Sequence, residues 1–171
     1  MNYKYITIPL LLVFPTIFFN SDGGRELQNK SGYLIQQTEQ VPCDSKLWSH
    51  VYHKERLKLI EECKTVTGVV VSKKMKRDGD YHIRLKLDKG QEICLNSKNR
   101  SKQKGCMVVE VICANEITRE DAVPFCNGFV NNVSIPEIGQ RVSVTGSYVT
   151  DTNEGNGWNE IHPVTEIKKI K

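Results

Sequence analysis

Five stretches with the composition of β-strands, separated by turns, constrain the fold of this chain more than any other feature of its sequence. The second stretch, DYHIRLKLD, alternates cleanly between apolar and polar side chains. A period of two places Ile83, Leu85 and Leu87 on one face of a strand, where they can pack into a core. The preceding turn, RDGD, contains an Asp-Gly step that supplies the positive φ needed in a hairpin loop. The sequence therefore predicts a mainly β protein whose first two strands form a hairpin.

The order of the predicted elements narrows the fold class. The five strands are TVTGVVVSKKM (65–75), DYHIRLKLD (80–88), CMVVEVIC (106–113), RVSVTGSYV (141–149) and WNEIHPVTEI (158–167). One short helix is predicted in ITREDAVPFC, between strands 3 and 4, with Thr118 as its N-cap and Pro124 at its end. This order is typical of a five-stranded OB-fold-like Greek-key barrel. An open five-stranded α+β sheet is the alternative.

The first 42 residues are predicted to lie outside this domain. Residues 1–20 contain a lysine and then the apolar run ITIPLLLVFPTIFF, which is shorter than the ~20 residues of a membrane-spanning helix. This pattern is typical of a signal peptide, and an uncleaved membrane anchor through residues 5–19 is the alternative. Residues 21–42 are polar without clear periodicity and are interpreted as a flexible linker. Residues 43–171 form the predicted domain.

The start of the domain is predicted to be helical. DSKLWSHVYHKERLKLIEEC carries Asp44 or Ser45 as an N-cap and several apolar residues that can share one broad face. A break near His53 into two short helices fits the same sequence. The domain is thus expected to begin with an N-terminal helical segment that leads into the barrel.

The cysteines agree with export into an oxidising compartment. None of them forms a Cys-x-x-Cys motif, so neither a zinc ribbon nor a thioredoxin-like site is indicated. The spacing favours three local disulfides, 43–63, 94–106 and 113–126, each stabilising the fold by ~2–4 kcal/mol. The six residues concerned are Cys43, Cys63, Cys94, Cys106, Cys113 and Cys126.

Two similar acid–histidine pairs begin the second and fifth predicted strands. They are Asp80 with His82 and Glu160 with His162. Residues two apart on a strand share a face, and the loops before these two strands flank one cleft in an OB-fold. Converging carboxylates and imidazoles would suit zinc or manganese. Alternatively, each acid orients its own imidazole, or the pairs contact a polar ligand. No motif in the sequence requires a cofactor, and a divalent metal ion is the one candidate cofactor.

A basic segment is the second candidate for function. Residues 73–104 contain eleven Lys or Arg and four Asp or Glu, a balance of +7 in a chain whose total is +4. In OB-folds the corresponding surface binds oligonucleotides or oligosaccharides. Trp158 either stacks on a ligand there or closes the end of the barrel, and a solvated basic loop is the simplest alternative. The candidate ligand-binding residues are Lys73, Lys74, Arg77, Arg84 and Trp158.

These features predict an exported binding module for a polyanion, either nucleic acid or an acidic glycan, or for another polar ligand. The ligand would lie in the cleft between the loop joining strands 1 and 2 and the loop joining strands 4 and 5. A metal-dependent hydrolase that uses the two acid–histidine pairs is the first alternative, and a structural envelope protein is the second. No serine-nucleophile elbow and no glycine-rich phosphate loop occurs in the sequence.

Parts of the chain resemble a family of small exported OB-fold-like proteins of unassigned function. The resemblance covers about residues 45–168 and is carried by SHVYHKERLKLIEECKTVTGVVV, DGDYHIRLKLD and IGQRVSVTGSYVTDTNEGNGWNEIHPVTEI. It implies an OB-like fold and an exported location, but no reaction. The family's Gly-Asp-x-His and Glu-x-His-Pro motifs correspond to Gly79, Asp80, His82, Glu160, His162 and Pro163.

A shorter stretch, VVVSKKMKRDGDYHIRL, is similar to the first strand and DGDT turn of the OB-folded thermonucleases. The Asp-x-Pro-Glu stretch, arginine and glutamate that those nucleases use do not follow in order in DKGQEICLNSKNRSKQKG. Nuclease catalysis is therefore not predicted.

Overall fold

The computed structural model of the chain describes residues 43–171. The predicted signal peptide or anchor (1–20) and linker (21–42) lie outside the described residues. Within residues 43–171, no helix is long and apolar enough to cross a membrane. The five strands are β1 (Leu57–Met75), β2 (Tyr81–Leu87), β3 (Met107–Val111), β4 (Arg141–Asp151) and β5 (Asn159–Lys169).

The five strands close into one barrel in the order β1-β2-β3-β5-β4, with β4 returning to β1. All neighbouring strands are antiparallel except β3 and β5, which run parallel. β1 is 19 residues long and pairs with β4 over most of its length and with β2 at its C-terminal half. A single long strand thus joins both halves of the sheet. The predicted mainly β class and the five strands are confirmed.

The N-terminal helical segment is shorter than the sequence predicted. It consists of two 3-10 helices, Ser45–His50 and Lys54–Arg56, separated at His53, whose φ is 58°. The break near His53 is therefore confirmed, and a continuous helix through Cys63 is wrong. β1 already begins at Leu57 because its backbone pairs with the end of β4. Pairing with β4 gives the backbone N–H and C=O groups of this segment the hydrogen bonds that a helix would have formed internally. The strand pairing therefore outweighs the helix propensity of the segment.

Two short α-helices lie in the connections. α1 (Ser97–Lys102) occupies a segment predicted to be a loop, and a capping box between Asn96 and Asn99 starts it. α2 (Val123–Cys126) follows a 3-10 turn whose N-cap is Arg119. The predicted N-cap at Thr118 is therefore wrong. Pro124 lies in the first turn of α2 instead of ending a helix. A proline is tolerated there because the N–H groups of the first turn have no hydrogen-bond partner within the helix.

The barrel interior is filled by the inward-facing residues of all five strands. Gly68 on β1 marks a close approach of two strands, since a Cβ there would collide with the backbone carbonyl of Lys86 on β2. The main members of the core cluster are Val66, Val70, Ile83, Leu85, Leu87, Met107, Val109, Val111, Val142, Val144, Ile161 and Val164.

A second, smaller apolar cluster packs the N-terminal segment against the end of β3. It is formed by Leu47, Val51, Ile112 and Cys113. Polar contacts reinforce this attachment: Trp48 Nε1 donates a hydrogen bond to Ser147 Oγ at 3.2 Å. The N-terminal segment is therefore an integral part of the domain.

Two of the three predicted disulfides are present. Cys43 pairs with Cys63 and Cys113 with Cys126, with Cα–Cα distances of 5.3 and 5.5 Å. The two disulfides indicate an oxidising, extracytoplasmic environment.

The predicted third disulfide, between Cys94 and Cys106, is wrong, because both residues are free thiols and buried. The intervening segment forms α1, and polar side chains hold its ends. Asn99 Nδ2 donates to the carbonyl of Cys106 at 3.0 Å and to the carbonyl of Asn159 at 2.8 Å. Cys94 belongs to the core cluster, whereas Cys106 does not. Asn99 therefore provides the link between α1 and its surroundings that a disulfide was predicted to supply.

The disulfide assignment predicts a specific labelling pattern. Iodoacetamide should alkylate Cys94 and Cys106 only after the protein is unfolded without reductant, because both thiols are buried. Non-reducing peptide mapping should recover the 43–63 and 113–126 crosslinks in the same sample. The Cys106→Ala variant, as a control, should keep both crosslinks. Recovery of a 94–106 crosslink from the native protein would contradict the assignment.

Candidate functional site

A buried row of ionisable side chains crosses three adjacent strands on the outer face of the barrel. Ile83, Val109 and Ile161 point into the core from β2, β3 and β5. Their neighbours in sequence point the opposite way, because successive strand residues alternate between faces. His82 is directly paired with Glu110 across β2 and β3. Glu110 therefore stands in the middle of the row.

Glu110 joins the two acid–histidine pairs that the sequence singled out. Its Oε1 accepts a hydrogen bond from His82 Nδ1 at 2.9 Å, and its Oε2 lies 3.5 Å from His162 Nδ1. His162 Nδ1 is also hydrogen-bonded to Glu160 Oε1, at 3.0 Å. β2 and β5 are not neighbours in the sheet, because β3 lies between them. The two histidines are therefore linked by Glu110 on β3, which contacts both of them. The two motifs thus belong to one cluster.

Asp80 enters the cluster from the turn before β2. Its Oδ1 accepts a hydrogen bond from the backbone N–H of Cys113 at 2.9 Å. Asp80, Glu110 and His162 each place one potential metal-ligand atom within 4.8 Å of the other two. Glu160 and His162 are each only 1% exposed. The part of the cluster around Glu160 and His162 is therefore shielded from water, and its charges interact strongly.

Burial and neighbouring charges shift the pKa values in opposite directions. Burial raises the pKa of Asp80 to about 8; the charge on His162 opposes this shift and the charge on Glu110 adds to it. Burial also raises the pKa of Glu160, again with a contribution from Glu110. Burial disfavours the charge on Glu110, but hydrogen bonding to His82 and the charge on His162 outweigh it and lower its pKa to about 2.

The pKa of His162 completes this pattern. Burial alone would lower it, but the hydrogen bond with Glu160 and the charge of Glu110 raise it to about 9. Glu110 is consequently the carboxylate that most favours ionisation, and His162 is its cationic partner. Asp80 and Glu160 flank this pair and hold protons more readily than ordinary carboxyl groups.

A groove of about 430 Å³ opens next to the cluster. Glu110 and His82 belong to both the cluster and the groove wall, and Asp151 is the second acid in the wall. Cationic side chains outnumber these two acids. They are Arg56, Lys73, Lys74, Lys76 and Arg84.

Trp158 connects the groove to the cluster. It lines the groove, its Nε1 donates a hydrogen bond to Glu160 Oε2 at 2.8 Å, and its ring meets His82 edge-on with 6.4 Å between centroids. The indole is therefore held in place by the buried acid two residues further along β5. The position combines a polar anchor with an aromatic surface at the groove.

Partners within the protein engage some of the groove cations. Lys73 Nζ lies 2.8 Å from Glu137 Oε1, and Arg56 Nε lies 3.6 Å from Asp151 Oδ1. Arg84 Nε donates to Gln103 Oε1 at 2.8 Å. Among the described residues, neither Lys74 nor Lys76 forms an ion pair. These two lysines supply the groove's most available positive charge.

The predicted ligand-binding residues do not all fall in the groove. Lys73, Lys74, Arg84 and Trp158 line it, whereas Arg77 lines a separate depression on the far side of the turn. The Arg77 carbonyl accepts hydrogen bonds from the backbone N–H groups of residues 118 and 119, at 2.8 and 2.9 Å. These bonds hold the turn against the β3–β4 connection.

Sequence reasoning missed Glu110 and Arg56. Glu110 carried a usable signal, since it is the one charged residue in the apolar stretch MVVEV, and a charged side chain is rarely buried unless it is paired. Arg56 carried no such signal because its segment was interpreted as helical. Contacts with the end of β4 bring Arg56 to the groove: its side chain pairs with Asp151, and its carbonyl accepts hydrogen bonds from Thr152 N–H and Oγ1 at 2.8 and 2.6 Å.

No protein-family model matches this chain, and a search of curated proteins gives no match. No matched protein therefore assigns a role to the residues of this site.

The central place of Glu110 predicts a large loss of stability on truncation. Glu110→Ala should lower the free energy of unfolding by ~3–5 kcal/mol, because it leaves His82 and His162 buried without their shared carboxylate. Glu110→Gln should cost less, since it keeps the shape and one acceptor oxygen. Urea denaturation measures both. Glu116→Ala, at an exposed position, is the matched control and should stay within ~0.5 kcal/mol of wild type. Equal stability of Glu110→Ala and this control would contradict the assigned role.

Proposed function

We propose that this domain is an extracytoplasmic binding module that holds an anionic polymer, a nucleic acid or an acidic glycan, in its basic groove. One observation carries the proposal: five cationic side chains and an indole surround a single groove of about 430 Å³. The two disulfides support a location outside the cytoplasm.

The barrel topology supports assignment to the OB-fold. A closed five-stranded sheet in the order β1-β2-β3-β5-β4 has the strand neighbours expected of that fold. OB-folds bind oligonucleotides and oligosaccharides on the face of strands 2 and 3, between the β1–β2 and β4–β5 loops. The groove contains residues from the end of β1, from β2 and from the β4–β5 loop, which supports its assignment to the equivalent surface.

The distribution of charge suits a polyanion. Lys74 and Lys76 are available for phosphate or sulfate groups, while the ion pair of Lys73 with exposed Glu137 would need to open for Lys73 to take part. Cations grouped in a concave surface raise the local concentration of anions and speed association. Neutralising phosphates or sulfates releases counterions, so the affinity should fall steeply with salt.

Trp158 adds an aromatic surface on which a ligand can pack, beside the charged side chains of the groove. A base or sugar face can pack against its ring, and stacking of one base contributes ~1–3 kcal/mol in single-strand binders. The hydrogen bond to Glu160 restricts the indole before any ligand arrives. A restricted contact surface loses less conformational entropy on binding.

Binding should depend on salt and on the groove cations. The double variant Lys74→Ala/Arg84→Ala should weaken binding of a fluorescent dT12 oligonucleotide and of a heparin-derived oligosaccharide. For dT12 it should flatten the slope of log affinity against log salt by ~1.4, at ~0.7 per lost phosphate contact. Fluorescence anisotropy at several salt concentrations measures both effects.

Two controls separate the groove from net charge. Lys89→Ala/Lys169→Ala removes the same charge at exposed positions outside the groove and should bind like wild type. Arg77→Ala should also bind like wild type, because Arg77 lines the other depression. If wild type binds neither probe in a salt-sensitive way, or if the control double variant loses as much affinity, the proposed function is wrong.

A further inference from the structure

We propose that Asp80, Glu110 and His162 bind one divalent metal ion, of the zinc class, in the buried cluster beside the groove. The site shares Glu110 with the groove wall, but it is inferred independently of the proposed anion binding. The sequence patterns indicated Asp80, His82, Glu160 and His162 as metal ligands. In the proposed site Glu110 is a ligand instead, and His82 and Glu160 hydrogen-bond to the ligands Glu110 and His162.

The donor atoms are close enough for one ion. The three potential ligand atoms lie within 4.8 Å of one another. Around a tetrahedral ion with bonds of ~2.0–2.2 Å, donor atoms are ~3.3 Å apart, so only small side-chain rotations are needed. An imidazole with two carboxylates is a donor set that zinc accepts, and manganese accepts it as well. Three protein ligands leave one coordination position for water or an anionic group.

Each proposed ligand is already oriented by a neighbour. The Cys113 backbone N–H fixes Asp80, His82 fixes Glu110, and Glu160 contacts Nδ1 of His162. Metal-binding histidines commonly use one ring nitrogen to contact a carboxylate while the other holds the ion. The arrangement therefore has the supporting contacts that a metal site requires.

One buried atom of the proposed ligands lacks a hydrogen-bond partner. His162 Nε2 is buried and forms no hydrogen bond with any group in residues 43–171. A buried polar atom without a partner is rare and unfavourable, so each case calls for an explanation. A purely structural cluster explains the contacts at Nδ1 but leaves Nε2 unexplained. An ion held through Nε2 would give this nitrogen its partner and leave the contact of Nδ1 with Glu160 Oε1 in place.

Charge and access are also consistent with a cation. Metal ligands must be deprotonated, so a divalent ion would take the place of the protons that Asp80 and His162 hold in its absence, and its charge would offset both carboxylates. Glu110 also lines the groove, which gives an ion a route from solvent. The cluster thus satisfies the requirement for an entry path.

The first test is the metal content of the purified protein. The chain, exported by an expression host grown with zinc and purified without chelator, should contain about one zinc per chain by mass spectrometry. After dipicolinate removes the metal, titration with Co²⁺ should give d–d absorption bands that saturate at one equivalent. Zn²⁺ should displace this cobalt. A wild-type chain that carries no zinc and gives no saturable cobalt spectrum would overturn the proposal.

Variants locate the ion within the cluster. His162→Gln and Asp80→Asn should lose the metal, whereas His82→Gln should weaken zinc affinity by ~10–100-fold because His82 only orients Glu110. His53→Gln, which changes an exposed histidine elsewhere, should keep the metal. Cys106→Ala and Cys94→Ala should each keep it too, which excludes binding by either free thiol. Equal zinc in His162→Gln and wild type would overturn the assignment.

Two further measurements keep the test independent of folding and of the groove. If His162→Gln does not fold, the cobalt spectrum of the wild type still decides, because imidazole and carboxylate ligands give weak bands without thiolate charge transfer. Thiolate charge transfer in that spectrum would place the metal elsewhere and refute the proposal. Lys74→Ala/Arg84→Ala should retain full metal content, so loss of anion binding and loss of metal are distinguishable outcomes.

Discussion

The contact between Glu110 and its two histidines is the interaction on which the rest of the site depends. Burying a carboxylate is expensive, and its cost is offset here only because His82 and His162 approach from the strands on either side. That geometry requires β3 to lie between β2 and β5. The same registers that place Val109 and Ile161 in the core place the charged side chains opposite them. The strand pairing that closes the barrel therefore also brings the cluster residues together.

The outer face of this barrel is partly buried by the N-terminal segment and by the chain that follows β3. The Cys113–Cys126 disulfide ties the segment that follows β3, and the 3-10 helix Ser45–His50 packs beside it through Leu47. His50 stacks on Phe129 at 4.1 Å and contacts the Phe125 carbonyl at 2.7 Å. These attachments give the outer face a second apolar layer. The layer reaches the charged cluster at Cys113, whose backbone N–H donates to Asp80 Oδ1, and apolar surroundings there lower the local dielectric.

The sequence predicted what depends on local patterns. Alternation around Ile83 and the Asp-Gly turn identified the first hairpin, and spacing identified both observed disulfides but also predicted a third that is absent. Features set by long-range pairing were not predictable: Leu57 starts a strand because β4 extends alongside it, and Asn99 replaces a disulfide by bonding to residue 159. The similarity of the two acid–histidine motifs raised the question of a shared site. The answer depended on Glu110, whose role becomes visible only when the strand order is known.

The groove and the cluster share Glu110 and His82, so their charges are linked. A cation bound to Asp80, Glu110 and His162 would offset the negative charge of Glu110 beneath the groove, and this would favour an anion above it. The reverse holds by thermodynamic reciprocity: an anion in the groove would favour the cation by the same coupling free energy. Charges a few ångströms apart at an effective dielectric constant near 20 interact by several kcal/mol before screening, so the coupling need not be small. The hydrogen bond between Trp158 and Glu160 extends the linkage to the groove's aromatic wall, because Glu160 also contacts His162.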